Sequence, residues 1–314
     1  MEKNVLEVFK ERVLVFDGGM GTMLIAEGLP PGVLPEKWNL EHPEVVKKIH
    51  LAYYNAGSDI VQTNTFGGNR TKLESSGIDK EIAKVNLEAS RLVRDVCPEG
   101  KYTAGDIGPT GKFLPPMGNA TESELEEVFS EQASLLSEGG LDLINIETMY
   151  DLREALCALR GAKKVTSLPV FVSLTYNHTP RGFFTMMGDE VAKAVKSLKD
   201  EGADVVGTNC TLGSKEMVEL VKIIKQNTNL PVIAQPNAGK PRIVSGPKDP
   251  VGTATYQQKP KDFAEDIRRI LEFGCNIVGG CCGTNPEFIK EIKDVVKKKE
   301  TTDDTDFHEI LKKK

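Results

Sequence analysis

The chain has 314 residues, of which 39% are hydrophobic and 27% are charged, so it can bury one extensive core. A net charge of -6 gives no basic surface for a polyanion, which argues against nucleic acid as a partner. No stretch approaches the roughly 18 apolar residues of a membrane span, and the first residues are charged, so we expect no membrane partner. Six cysteines in a chain this large favour reduced thiols, which predicts a cytoplasmic protein.

Short β-branched runs alternate with amphipathic segments along the chain. The predicted strands are residues 13–16, 59–63, 102–107, 141–146, 169–175, 204–209, 231–235 and 276–278. Strands that alternate with helices predict a parallel sheet, and eight of them close an α/β barrel of the (β/α)8 TIM type. We expect one barrel domain over residues 1–298, followed by a charged C-terminal tail over 299–314.

Polar or thiol side chains follow each predicted strand, where barrel enzymes place their chemistry. They are Asp17, Asn64, Asp106, Glu147, Thr175, Cys210, Asn237 and the pair Cys281 and Cys282. Any one of them has a structural interpretation as a cap or a loop hydrogen bond. The whole set is harder to explain by packing and predicts a site at the barrel mouth.

Three cysteines are the most specific members of that set. Cys281 and Cys282 are adjacent, and neighbours on a regular strand point to opposite faces, so both reach one ion only if the strand has already ended. The flanking glycines allow that turn. Together with Cys210 they would leave the fourth position of a tetrahedral Zn²⁺ ion open, as in catalytic zinc sites. The alternative from these residues alone is two unrelated buried thiol sites, because zinc-finger spacing is absent.

An ion held by three thiolates carries a net charge of about -1 and is a poor generator of hydroxide. Such a centre suits a substrate thiol, which loses its proton on coordination and stays nucleophilic. Asp17 and Glu147 could pair with an ammonium group, and the backbone N–H groups of residues 18–21 could bind a carboxylate. These features predict alkyl transfer to the sulfur of an amino acid that bears a thiol.

Several motifs resemble, in order, those of the homocysteine S-methyltransferase family over roughly residues 10–298. They are residues 17–22, 62–67, 105–110, 147–148, 209–210, 236–239 and 279–284. Within the family, residues 105–111 and 236–241 are more similar to the homocysteine-binding domain of cobalamin-dependent methionine synthase than to the betaine-using or S-methylmethionine-using branches. The resemblance implies a methyltransferase of the TIM-barrel type that makes methionine from homocysteine.

The resemblance also implies roles for individual residues. Zinc would lie on Cys210, Cys281 and Cys282, with homocysteine sulfur as the fourth ligand and no protein nucleophile. Asp17 and Glu147 would hold the amino group. The backbone near Gly19 and Met20 would hold the carboxylate, and Asn237 would approach the zinc when substrate is absent.

The methyl donor implied by the resemblance is methylcobalamin or a related corrinoid. No cobalamin module follows the barrel in this sequence, and Asp306 and His308 lack the glycine that completes the cobalamin loop signature. We therefore expect a separate corrinoid protein to dock at the barrel mouth.

The loop after the fifth strand, residues 181–189, is bulkier and more apolar than in the methionine synthase branch. Its phenylalanines and methionines could pack the barrel rim or form a docking surface, and Asp189 could cap the next helix. Otherwise the pocket could accept a different thiol, or demethylate a methylated compound toward a corrinoid partner on the same zinc barrel. A non-catalytic zinc-binding or corrinoid-docking subunit is the remaining alternative.

Overall fold

The computed structural model describes residues 4–9, 11–246 and 249–312. Eight parallel strands form the central sheet: β1 Leu14–Val15, β2 Ile60–Gln62, β3 Tyr102–Ile107, β4 Leu143–Met149, β5 Val170–Leu174, β8 Val205–Gly213, β9 Val232–Asn237 and β12 Ile277–Val278. Their order is β1-β12-β9-β8-β5-β4-β3-β2. An isolated parallel bridge between Phe16 and Ile60 joins the two ends of the sheet, so the strands close into a TIM barrel. Each predicted strand overlaps one of these eight, and β4, β8 and β9 extend past the predicted carboxyl ends.

Four further strands form two antiparallel hairpins that the sequence did not predict. One pairs β6 Asn177–Thr179 with β7 Gly182–Phe184, in the loop that follows β5. The other pairs β10 Arg242–Gly246 with β11 Asp249–Thr255, in the connection between β9 and the next helix. Both lie at the carboxyl end of the barrel.

Helices surround the barrel. Their bounds are α1 Val5–Val8, α2 Met20–Ala26, α3 Trp38–Glu41, α4 Pro43–Ala56, α5 Arg70–Ser75, α6 Ile82–Arg94, α7 Glu122–Glu138, α8 Leu152–Val165, α9 Val191–Asp200, α10 Ser214–Gln226, α11 Pro260–Glu272 and α12 Pro286–Lys312, with one-turn 3-10 helices at Pro35–Lys37 and Asp79–Glu81. Within the described part of the chain, none of these helices combines the length and apolar character that crossing a membrane requires.

Apolar side chains form two layers, as expected for a barrel wrapped in helices. The larger layer lies between the strands and the outer helices, and the smaller one fills the barrel interior. Val5 and Val8 of α1 and the adjacent Phe9 belong to the inner layer, and the Phe9 ring lies 5.9 Å from that of Phe171. Helix α1 therefore plugs the amino-terminal end of the barrel.

Asp59 organises the same end of the barrel. Its buried carboxylate accepts a hydrogen bond from the backbone of Val15 at 3.0 Å and forms ion pairs with Arg12, Lys101 and Lys293 at 2.7–3.1 Å. These cations lower the pKa of Asp59 to about 2 despite its burial. The cluster joins β1 to α12 and to the segments that immediately precede β2 and β3.

The backbone of α12 continues through most of the predicted tail, since the helix ends at Lys312. Residues 313 and 314 lie outside the described residues. The helix that begins at Pro286 runs across residue 298, so no change of secondary structure marks the predicted domain boundary. That boundary stays a prediction.

Candidate metal and substrate site

The three predicted cysteines come together at the carboxyl end of the barrel. The Sγ atoms of Cys210, Cys281 and Cys282 all lie within 4.8 Å of one another, and those of Cys210 and Cys282 are 3.9 Å apart. A tetrahedral ion with Zn–S bonds of about 2.3 Å would place its sulfur ligands about 3.8 Å apart. The donor set and its spacing therefore fit Zn²⁺, and the alternative of two unrelated thiol sites is wrong.

The end of β12 explains how two adjacent cysteines reach one point. The strand stops at Val278, so Cys281 and Cys282 lie in the turn that follows it, as the sequence predicted. Cys281 donates its backbone N–H to Pro236, and the carbonyl of Cys282 accepts from Ala238. These two bonds fasten the turn to the end of β9.

Cys210 reaches the same point because β8 bulges. Asn209 pairs with Gln235 and Gly213 with Asn237, so four steps along β8 match two along β9. The extra residues include Cys210 with φ 56° and Thr211 with φ 58°, a left-handed conformation that costs free energy for residues other than glycine. Such backbone strain concentrates at functional sites.

A smaller bulge in β4 turns Glu147 toward the mouth. Ile146 pairs with Val172 and Met149 with Leu174, so three steps along β4 match two along β5. Thr148 has φ 58° in this bulge. Among the described residues, Thr148, Cys210 and Thr211 are the ones other than glycine with positive φ, and all of them border this site.

The three thiols share hydrogen bonds. Those from Cys281 and Cys282 lower the pKa of Cys210 to about 3, and the bonds to Cys210 raise the pKa of the other two. The opposite directions of these shifts follow from the closeness of the three thiols to one another.

Asp17 and Glu147 lie together below the cysteines, joined by Gln62. Asp17 accepts from the Gln62 backbone at 2.9 Å, and Glu147 accepts from the Gln62 side chain at 3.3 Å. Burial raises the pKa of Asp17 and raises that of Glu147 to about 7, because each is shielded from water and no cation among the described residues pairs with it. Asp17 Oδ1 has no hydrogen-bond partner. Two buried carboxyl groups that lack a cation suit a positively charged ligand.

Asp106 adds a third carboxyl group to this cluster. Burial raises its pKa, and the nearby Glu147 raises it further. Its Oδ1 atom is also buried without a partner. The sequence placed Asp106 at the mouth but gave it no role in binding.

Gly19 lies against the cysteine turn. Its N–H donates to Thr284 Oγ1 at 3.1 Å, and the Thr284 hydroxyl donates to the carbonyl of Cys281 at 2.7 Å. A Cβ atom at Gly19 would come within 2.7 Å of that carbonyl, so the close approach requires glycine. Met20 follows as the first residue of α2.

Asn237 lies beside the cysteines, where its Oδ1 atom accepts the backbone N–H of Cys282 at 3.1 Å. Asn64 instead donates to the carbonyl of Pro35 at 2.8 Å and to Asn39, so it fastens a loop, as its structural interpretation held. Thr175 is buried and donates its backbone N–H to Met149.

The bulky loop after β5 is the hairpin of β6 and β7. Phe183 is buried and stacks on His178 with ring centroids 4.6 Å apart, so it packs the rim as one interpretation held. The prediction that Asp189 caps the next helix is wrong, because Glu190 occupies the N-cap position of α9. Asp189 instead accepts a hydrogen bond from the Thr185 hydroxyl at 3.3 Å and forms an ion pair with Lys193.

The sequence assigned no role to three residues that lie at the site. Two of them, Gln62 and Asn209, belong to the motifs of the family resemblance, and Asn209 is adjacent to a predicted metal ligand, which could have indicated their roles. Tyr256 follows the β10–β11 hairpin, packs on Gly283 and lies beside the Cys282 thiol. The sequence did not predict that Tyr256 lies near the cysteines, because it did not predict the hairpin that precedes this residue.

Comparisons with known proteins agree with this geometry. The chain is 33% identical over 309 residues to the methionine synthases of Mycobacterium tuberculosis and Mycobacterium leprae, which covers 93% of this chain and 25% of each of those proteins. The chain thus spans about a quarter of their length. The crystal structure of the homocysteine methyltransferase MmuM from Escherichia coli, metallated form, superposes with a TM-score of 0.75 at 20% identity. It covers 92% of this chain and 98% of that one, and this likeness supports the fold.

The sequence model of one family covers most of the barrel. It is described as homocysteine S-methyltransferase and matches residues 14–296, which include the three cysteines and both carboxylates below them. The chain therefore belongs to the homocysteine S-methyltransferase family.

Proposed function

We propose that this barrel transfers a methyl group to the sulfur of homocysteine and so produces methionine. The observation that carries the proposal is the convergence of three thiols within 4.8 Å of one another, directly above two buried carboxyl groups. A soft-metal site next to an ammonium site fits a small amino acid whose side chain ends in sulfur. Family membership and the likeness to methionine synthases support the same substrate.

Cys210, Cys281 and Cys282 would hold a Zn²⁺ ion. When bound, zinc supplies a Lewis acid that lowers the pKa of a substrate thiol, so that the sulfur is a nucleophile near neutral pH. The chain contributes the position of these three thiols, which the bulge in β8 and the turn after β12 fix. Asn237 is next to Cys282 and is the residue we propose to approach the metal when substrate is absent.

Asp17 and Glu147 would bind the amino group of homocysteine. Both are buried without a cation, so an ammonium group would restore the charged form that burial disfavours. The carboxylate would lie against the backbone at Gly19 and Met20, where α2 begins and its first N–H groups have no acceptor within the helix. Held at both ends, the substrate would present its sulfur at the barrel mouth.

The reaction needs no protein nucleophile. The sulfur lone pair forms a bond to the methyl carbon, the bond from that carbon to its carrier breaks, and the electron pair of the broken bond stays with the carrier. The chain accelerates this step by holding the sulfur in line with the incoming methyl group. The donor we propose is a methylcorrinoid presented by a separate protein at the mouth, in keeping with the sequence similarity to cobalamin-dependent methionine synthase.

The test is turnover by zinc-loaded protein with homocysteine and free methylcobalamin. We expect methionine by mass spectrometry, together with loss of the methylcobalamin absorbance that depends on homocysteine. Methyl transfer to a different thiol, or release of methyl groups from another methylated compound, would support the alternative reaction on the same barrel. Binding of homocysteine without any turnover, with methylcobalamin or other methyl donors, would indicate a non-catalytic role.

A further inference from the structure

Asn209 immediately precedes Cys210 on β8, and its side chain is fully buried. Its Nδ2 group donates to Glu147 Oε2 at 2.8 Å and to Thr148 Oγ1 at 2.7 Å. The same nitrogen lies 3.8 Å from Cys281 Sγ, within hydrogen-bond reach of a sulfur acceptor. One amide group therefore contacts both the carboxylate of the ammonium site and a thiol of the metal site.

The amide is held rigidly in this position. Its Oδ1 atom accepts the backbone N–H of Thr148 at 2.7 Å, so both ends of the amide are engaged with the bulge of β4. Thr148 has a left-handed backbone there, and that conformation persists only when neighbouring contacts enforce it. Glu147 is held from its other side by Gln62, whose own Oε1 accepts from Asn145 at 2.9 Å. Neither carboxylate oxygen of Glu147 is free to swing away.

We propose that Asn209 is a positioning residue that fixes the distance between the ammonium site and the metal site, and so selects amino-acid thiols of the length of homocysteine. The inference rests on the proposed function and adds a determinant of substrate length to it. Cysteine is one methylene shorter than homocysteine, so it cannot place its amino group at Glu147 and its sulfur at the metal at once if that distance is fixed. Without Asn209, Glu147 could shift, and the preference for homocysteine over cysteine would decrease.

Binding measures this selection without a methyl donor. The zinc-loaded protein is titrated with homocysteine and with cysteine at pH 8 by calorimetry, and the ratio of the two Kd values gives the preference. We expect the unaltered protein to prefer homocysteine by about tenfold or more, the scale on which one methylene is discriminated.

Two variants remove the contact in different ways. Asn209→Ala removes the whole amide. Asn209→Asp keeps the shape and an acceptor for the Thr148 N–H, but replaces the donor to Glu147 with a carboxylate. For both we expect the Kd for homocysteine to rise about 10- to 100-fold, as for loss of a hydrogen bond to a charged group. We expect the preference over cysteine to fall to less than about threefold. If Asn209→Ala does not fold, the isosteric variant carries the test.

Asn276→Asp is the matched control. Asn276 lies at the opposite end of the barrel, where its Oδ1 also accepts a backbone N–H from a neighbouring strand, that of Val232 at 3.1 Å. This variant should keep the preference of the unaltered protein. Zinc content and melting temperature are measured for every variant, so that loss of metal or fold is separated from loss of selection.

The outcomes separate the two proposals. If the unaltered protein does not bind homocysteine, the proposed function fails. If it binds and prefers homocysteine, but folded and zinc-loaded Asn209→Asp keeps that preference, the role of Asn209 is overturned. A fall in melting temperature with an unchanged preference would likewise show that Asn209 is only structural.

Discussion

Two aspartates at opposite ends of the barrel have the same burial and opposite electrostatics. Asp17 and Asp59 are each 1% exposed, and each accepts a backbone N–H from a neighbouring strand. Asp59 is surrounded by three cations, which lower its pKa to about 2. Asp17 faces Glu147 instead, and burial raises its pKa.

The difference teaches which end of the barrel is complete without a ligand. At the amino-terminal end the charge of Asp59 is neutralised by the chain itself, so this aspartate contributes to stability. At the carboxyl end no lysine or arginine in the described part of the chain pairs with the carboxyl groups and thiols, so the fold bears a cost that an ammonium group and a metal ion would relieve. One end of the sheet thus contributes to stability, and the other is where we propose that ligands bind.

Removal of the metal site should give the largest effect at the mouth. Cys210→Ser leaves two thiols, and we expect zinc affinity to fall by more than about 100-fold, with loss of homocysteine-dependent proton release. Zinc content by mass spectrometry and proton release by calorimetry in buffers of different ionisation enthalpy measure these changes. Cys275→Ser is the control, because Cys275 is a buried thiol that hydrogen-bonds the backbone carbonyls of Val232 and Ile277 and should leave zinc binding unaltered. Full zinc binding by Cys210→Ser would show that Cys210 is not a zinc ligand.

Asp59→Asn should give the largest loss of stability at the other end. Three cations would lose their partner, and we expect the free energy of unfolding at pH 7 to fall by about 2–4 kcal/mol, measured by urea denaturation. As the pH falls from about 4 to about 2, the unfolded chain takes up the Asp59 proton first, so the unaltered protein loses this stabilisation while the variant does not. Equal stability at pH 7 would contradict the comparison.

Asp17→Asn should change stability in the opposite direction. Because the pKa of Asp17 is raised in the folded protein, its contribution to stability declines as the pH rises above the unfolded value near 3.8. In metal-free, substrate-free protein at pH 7 we expect the variant to gain on the order of 1 kcal/mol by urea denaturation. Its affinity for homocysteine should fall about 10-fold or more by calorimetry. A loss of stability like that of Asp59→Asn would remove the contrast between the two ends.

Tyr256→Phe should give the smallest change. It removes a hydroxyl that lies beside the Cys282 thiol and keeps the ring that packs on Gly283. We expect zinc affinity to fall by about tenfold in competition with a chelator, the lower limit for loss of an outer contact to a metal ligand. The melting temperature of the metal-free protein should not change. An unaltered zinc affinity would assign Tyr256 to packing alone.

The barrel could be predicted from the sequence because short β-branched runs and amphipathic segments alternate regularly along the chain. All eight strands coincide with β-branched runs in the sequence. The carboxyl ends of these strands bring Cys210 near Cys281 and Cys282. The turn after β12 was also predictable, since two adjacent cysteines on one strand could not share an ion.

The parts that were missed depend on contacts distant in sequence. The bulge of β8 and the left-handed Thr148 arise from pairing with neighbouring strands, which no local pattern reports. The role of Asn209 follows from distances to β4 and to the turn after β12. Tyr256 depends on the β10–β11 hairpin, whose two strands were not among those predicted.

The closure between β1 and β2 has a consequence for breathing motions of the barrel. The bridge of Phe16 and Ile60 is flanked by the two aspartates, since Asp59 accepts the N–H of Val15 and Asp17 accepts that of Gln62. The carboxylate proposed to receive the ligand also fastens this junction. Occupation of the mouth should therefore slow amide hydrogen exchange at Gln62, while the Val15 amide, held from the far side, keeps its rate.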